Sequence, residues 1–225
     1  LVSQSTRRSA PPSLACLEAA REGGADRLVL CDTNGGMTPE RVGLILDAVR
    51  LEQSLPLGVH LHNDGDMAVA ASLTAIRKGA DMVQGTFNGI GERCGNANLC
   101  SLIPALKLKM PEYRLADHLD LGRLTAVARE VATWGQFALS PGQPYVGVGA
   151  FAHKGGVHVS AVLRDPGTYE HVAPEEVGNT RLLPFSDLAG RSTLLGRARS
   201  LGWAPEELAP HAEDLLALVK DREAQ

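Results

Sequence analysis

Three times between residues 27 and 108 a short apolar run ends in a cluster of polar residues and passes into an Ala- and Leu-rich helical pattern. A strand followed by a helix cannot reach a parallel neighbour except by a crossover, so this repeat implies a parallel sheet with right-handed connections. Strands are expected over 27–31, 57–61 and 81–86, and helices over 38–52, 66–78 and 97–108, with an earlier helix over 14–22. Thr38-Pro39-Glu40 is a strong helix start, because Thr can cap, Pro suits the first helical position and Glu meets the positive end of the helix dipole. Beyond Met110 the alternation stops. A helix over 120–134 places Leu121, Leu124, Val127 and Val131 on one face. A proline-broken link (140–145), a loop entering a helix (151–164), a turn-rich stretch (165–179) and an acidic amphipathic helix (205–223) complete the pattern. Residues 1–13 are polar, carry Pro11-Pro12 and lack either periodicity, so a disordered or foreign tail is expected there. The expected organisation is α/β: three βα units over 14–110, then a mostly helical arm over 111–225.

Composition narrows the function. Apolar residues are 44% and aromatics 4%, with 24 glycines, which suits α/β layers better than an aromatic-rich sandwich. A net charge of −4 and a pI near 6.0 provide no basic footprint for nucleic acid or an anionic membrane, so a small-molecule substrate is expected. Cys16, Cys31, Cys94 and Cys100 lack CxxC spacing and read as reduced thiols of a cytoplasmic protein. The longest apolar runs stop well before the ~20 residues a bilayer span needs.

In a parallel α/β fold, chemistry gathers where strands end. The three ends here read Cys31-Asp32-Thr33-Asn34-Gly35, His60-Leu61-His62-Asn63-Asp64, and Asn88 through Asn96. Strand residues two apart share a face, so His60 and His62 can direct both imidazoles at one metal ion. Asp64 and Asp66 suit an Asx turn and a helix cap and are not taken as ligands. A third donor is required, with Asn96 and Asp32 as candidates, although Asp32-Thr33-Asn34-Gly35 also reads as a tight turn. Such donors leave zinc, manganese, iron and magnesium open. Gly89, Gly91 and Gly95 let the backbone pass close to a ligand, but without a strand-GxGxxG-helix context they are no dinucleotide fingerprint. His153 and His158, five apart, fit neither a strand face nor a helix face as a metal pair, while either alone could serve acid–base chemistry. His118, His171 and His211 lie among polar residues and are expected at the surface.

The segments HLHND, NGIGERCGN, DTNGG and FAHKGGVHVSAVLRDPGTYEH together resemble the acetyl-CoA-dependent Claisen-condensing branch of the metal-dependent TIM-barrel lyases, which contains the isopropylmalate, homocitrate and citramalate synthases. The wording is most similar to the citramalate-forming members, with isopropylmalate or homocitrate formation as alternatives. The resemblance runs from Leu14 to the C-terminus and implies a partial TIM barrel, strands six to eight with their helices, followed by the arm. It implies that His60 and His62 bind a divalent ion (manganese, magnesium or zinc) with Asn96 at or near it, and that Thr33 holds the carboxylate of the 2-oxo acid. It also implies that His158, accompanied by Tyr169, acts from an arm reaching a partner subunit's barrel mouth in a homodimer. The implied reaction joins acetyl-CoA to pyruvate, giving citramalate for isoleucine and branched-chain amino-acid biosynthesis. Family members begin with a strand reading approximately DTTLRDG, and nothing in this chain matches it. A piece of a synthase is therefore expected, inactive by itself, with association to intact subunits as the non-catalytic alternative.

Overall fold

A computed structural model describes residues 2–3, 11–154, 156–183 and 190–223. The chain divides into two compact units, one of residues 1–117 with Val131–Gln136, the other of His118–Glu130 with residues 137–225.

The first unit is built on a parallel sheet, in the order β1 (Val2–Ser3), β2 (Leu28–Asp32), β3 (Leu57–Leu61) and β4 (Met82–Gln84). The expected three strands are present, and a fourth edge lies where a tail was expected: Val2 and Ser3 pair with Leu30 and Cys31. Helix α1 (Pro11–Glu22) likewise starts three residues before residue 14. Both prolines fit there, since the first helical N–H groups have no partner to lose. The rest of the expected tail, residue 1 and residues 4–10, lies outside the described residues.

Helix α2 (Pro39–Glu52) starts where Thr38 Oγ1 accepts the Arg41 N–H at 3.3 Å. Helix α3 (Ala68–Arg77) begins two residues later than its pattern, because Asp66 adopts a left-handed φ of 56° and Asn63 Oδ1 takes the Ala68 N–H instead. Strand β4 ends early: at Gly85 the chain passes so close to the Ala97 carbonyl that a Cβ would lie 2.5 Å from it, and Thr86 pairs with Ala97 and Asn98. Helix α4 (Leu99–Lys109) follows, capped by Asn98. Leu17, Leu30, Leu46, Leu57, Val59 and Ala75 form the core between sheet and helices, and Leu102, Leu106 and Met110 form a second cluster under α4. β2 and β3 are buried along nearly their whole length, as strands covered on both faces must be.

The expected helix over 120–134 is a 3-10 turn at Leu121–Arg123 leading into α5 (Leu124–Trp134). The second unit continues with α6 (Gly156–Arg164), 3-10 turns at Pro166–Thr168 and Pro174–Val177, α7 (Arg191–Ser200), α8 (Pro205–Leu208) and α9 (Ala212–Glu223). Among the described residues, none of 113–179 joins the sheet. The single helix expected over 205–223 is broken by a 3-10 turn at Ala209–His211, where Pro210 removes a backbone donor. α7 had no clear sequence signal. It lies against α6 so closely that a Cβ on Gly196 would stand 2.9 Å from Leu163 Cδ1.

Candidate functional site

The carboxyl ends of β2, β3 and β4 carry the polar residues of the first unit. His60 is the fourth residue of β3, and His62 follows the strand in an isolated bridge to Asn96. Alternation along the strand leaves the two rings on one side, their centroids 5.3 Å apart at 66°. Asn96, 5% exposed, lies with Nδ2 3.0 Å from His60 Nε2. Its amide needs room: a Cβ on Gly91 would fall 1.9 Å from Asn96 Oδ1, and one on Gly95, whose φ is +89°, 1.9 Å from the Gly89 carbonyl.

His62 Nδ1 is buried and has no hydrogen-bond partner. A desolvated ring nitrogen left unpaired is costly, and a cation that takes its lone pair removes the cost. Two imidazoles and an amide in contact therefore fit a divalent ion. Among the described residues, no three His, Cys, Asp or Glu side chains gather as a metal cage, so a cation here would need an amide or non-protein oxygens as further donors.

Asp32 is occupied otherwise. Its two carboxylate oxygens accept the Gly35 and Met37 N–H groups at 3.0 and 2.9 Å, which closes the loop after β2 and is the turn chemistry that its sequence context also allowed. Thr33 is exposed in that loop, directly after the strand. Asp64 is neither ligand nor cap: it pairs with Arg93, whose Nε and Nη2 donate to its two oxygens at 2.7 and 2.9 Å and hold its carboxyl below the usual range. Asp66 accepts from Asn63 Nδ2. Sequence pattern gave no signal for the Arg93–Asp64 pair, whose members are 29 residues apart.

In the second unit Tyr169 stacks on His158, ring centroids 4.6 Å apart at 35°, and both are exposed. Behind them lies a network that sequence reasoning missed. Glu170, 8% exposed, accepts from Arg181 Nε and Nη2 at 2.7 and 2.5 Å and faces His153 Nε2 at 3.0 Å. Burial raises the Glu170 pKa, but the bonds from Arg181 and His153 prevail and leave it below the usual value. His153 is thus hydrogen-bonded to the Glu170–Arg181 ion pair and is not a metal partner of His158. His171 is exposed, as expected, with its ring edge-on to Tyr145 at 5.3 Å.

Parallel βα units whose His, Asn and Thr residues collect at the carboxyl ends of the strands define a class of α/β proteins that work from that rim. Residues 2–131 match the family model described as HMGL-like, and residues 145–221 match the model described as Homocitrate synthase post-HMGL domain-like. The chain belongs to the HMGL-like family. It is 47% identical to an (R)-citramalate synthase of Synechocystis sp., over 95% of this chain and 40% of that protein. It is 48% identical to an (R)-citramalate synthase of Geobacter sulfurreducens, over 92% and 39%. The chain therefore spans about two fifths of the length of these curated relatives. The crystal structure of a Bacillus subtilis HMG-CoA lyase superposes with a TM-score of 0.50 at 24% identity, over 56% of this chain and 43% of that one, a likeness of fold. The family match begins at residue 2, ahead of residue 14, where the motif resemblance begins. No helix among the described residues is long and apolar enough to cross a membrane.

Proposed function

We propose that this chain is the part of an (R)-citramalate synthase that supplies the last βα units of a TIM barrel and the arm after them. The likeness to two such synthases over nearly the whole chain is the observation that carries this reading. The reaction is the condensation of acetyl-CoA with pyruvate, with water taken up and CoA released, in cytoplasmic branched-chain amino-acid synthesis by a homodimer. His60, His62 and Asn96 hold a divalent ion, which when bound polarises the carbonyl of the 2-oxo acid. Thr33 binds the substrate carboxylate. His158, with Tyr169 stacked on it, removes a proton from the acetyl methyl group so that the carbanion can attack the oxo carbon. His158 serves the site of a neighbouring subunit.

The 225 residues alone are not expected to turn over, because no Arg-Asp strand within them stabilises the developing alkoxide, a kind of contribution typically of about 10²–10³ in rate per donor. The test mixes this chain with a full-length synthase inactivated by His→Ala at the position equivalent to His158, and follows CoA release with pyruvate, acetyl-CoA and manganese. Restored turnover that requires His158 supports the reading, and preference for a bulkier oxo acid over pyruvate moves it to another synthase of the family. No restoration, or turnover by the isolated chain that His60→Ala abolishes, overturns it.

A further inference from the structure

The loop that carries Thr33 is not held by its own turn alone. Arg93, in the loop after β4, reaches across to it: the Nη2 group that binds Asp64 Oδ2 also donates to the Thr33 carbonyl at 2.8 Å. Asp64 lies in the loop after β3, so one guanidinium joins the loops of three consecutive strands. The fit is close. A Cβ on Gly35 would stand 2.2 Å from Asp64 Oδ2, which only glycine at φ +72° permits, and the Gly65 N–H donates to the Gly35 carbonyl at 3.0 Å.

Arg93 itself sits at φ 57°, a conformation that glycine adopts freely and a residue with a Cβ adopts at a cost. The side chain makes three hydrogen bonds from that backbone conformation, two to the Asp64 carboxylate and one to the Thr33 carbonyl. A planar fork is also what the geometry uses, since a lysine could not make the paired Nε and Nη2 bonds to one carboxylate while still reaching a carbonyl. Three residues further on stands Asn96, against His60.

We propose that Arg93 is a positioning residue: through Asp64 it locks the Thr33 loop to the loops bearing His62 and Asn96, and so presents the 2-oxo acid's binding loop and the metal donors as one rigid rim. This rests on the reading of Thr33 as the residue that binds the substrate carboxylate. Arg93 touches no reacting atom.

The test is amide hydrogen exchange on the 225-residue chain, comparing wild type with R93G, R93K and D64N. R93G removes the side chain without straining the backbone at its left-handed φ, and the β3 amides report whether folding itself is disturbed. Exchange at Gly35 and Met37 is expected to accelerate about tenfold or more in R93G and D64N, with Val59 and His60 in β3 unchanged. R93K recovers part of the protection, and millimolar guanidinium recovers it in R93G. Unchanged exchange at Gly35 and Met37 in R93G overturns the proposal, as does a uniform rise that includes β3, which marks a merely structural role. The substrate reading is tested apart from this, by saturation transfer from the chain to the pyruvate methyl in wild type and T33A. Absence of transfer removes Thr33's assignment while the exchange result still decides the lock.

Discussion

Glu170→Gln isolates the buried charge in the second unit. The Glu170 side chain is 3% exposed, against 12% for His153 and 28% for Arg181, so the carboxylate has little access to water and its partners keep some. Glutamine preserves the shape. Its carbonyl oxygen carries no charge and can still accept from two donors, but its NH2 then faces the third, so at least one of three charge-assisted bonds is lost, the others weaken, and a donor is set against a donor. Bonds to charged groups contribute roughly 1.5–3 kcal/mol each, and breaking a buried pair costs about 3–5 kcal/mol. Partial hydration of Arg181 brings the expected loss to about 2–4 kcal/mol, a fall of about 1–2 M in the urea midpoint at a slope near 2 kcal/mol per molar. Trp203 belongs to the second unit and Trp134 to the first, so fluorescence of W134F reports on the unit in question. The pH dependence has a definite sign. Because Glu170 has a folded pKa below its ordinary 4.5, its stabilisation is complete above that value and fades as pH falls through the folded pKa. The gap between wild type and E170Q therefore narrows in acid as Glu170 takes up a proton. A midpoint shift below about 0.3 M would show that Arg181 and His153 are solvated without Glu170, and a gap that fails to narrow in acid would show that the ionised carboxylate is not its source.

Manganese, followed by its electron paramagnetic signal, is expected to bind the isolated chain weakly and not to bind H62A; tight binding that survives H62A would remove His62 as a donor and contradict the site as assigned. Gly95→Ala forces a Cβ into the Gly89 carbonyl at a left-handed φ and is expected to lower stability by roughly 2–4 kcal/mol and shift the Asn96 resonances, measured by thermal melting and NMR. Thr125→Val keeps the shape but leaves the buried Val177 carbonyl without its 2.7 Å bond, and about 1–3 kcal/mol should be lost from the urea transition. A loss below about 0.5 kcal/mol would mean another donor reaches that carbonyl.

Local rules carried the strands and most helix starts. Leu57–Leu61 is apolar except for His60 and is bounded by a proline and by Asn63-Asp64, and Thr38-Pro39 marks a helix start by capping chemistry that acts within three residues. The closeness of the His60 and His62 rings follows from strand alternation, a property of the backbone and not of the rest of the fold. What the sequence could not disclose depends on groups brought together from a distance. Val2–Ser3 is too short to show a period and is a strand only because β2 offers it an edge. α7 lacks an amphipathic stripe and is placed by the close approach of Gly196 to α6. Asp64 reads as a turn residue until Arg93 folds over it, and Asp32 reads equally as ligand or turn residue until both its oxygens are seen on Gly35 and Met37. Glu170, Arg181 and His153 are scattered over 29 positions, and a buried carboxylate remains ionised there only because the fold delivers both partners to it. Short-range hydrogen bonding and side-chain alternation are written in neighbouring residues; charge pairing and burial are set by which distant segments meet, and only the tertiary structure decides that.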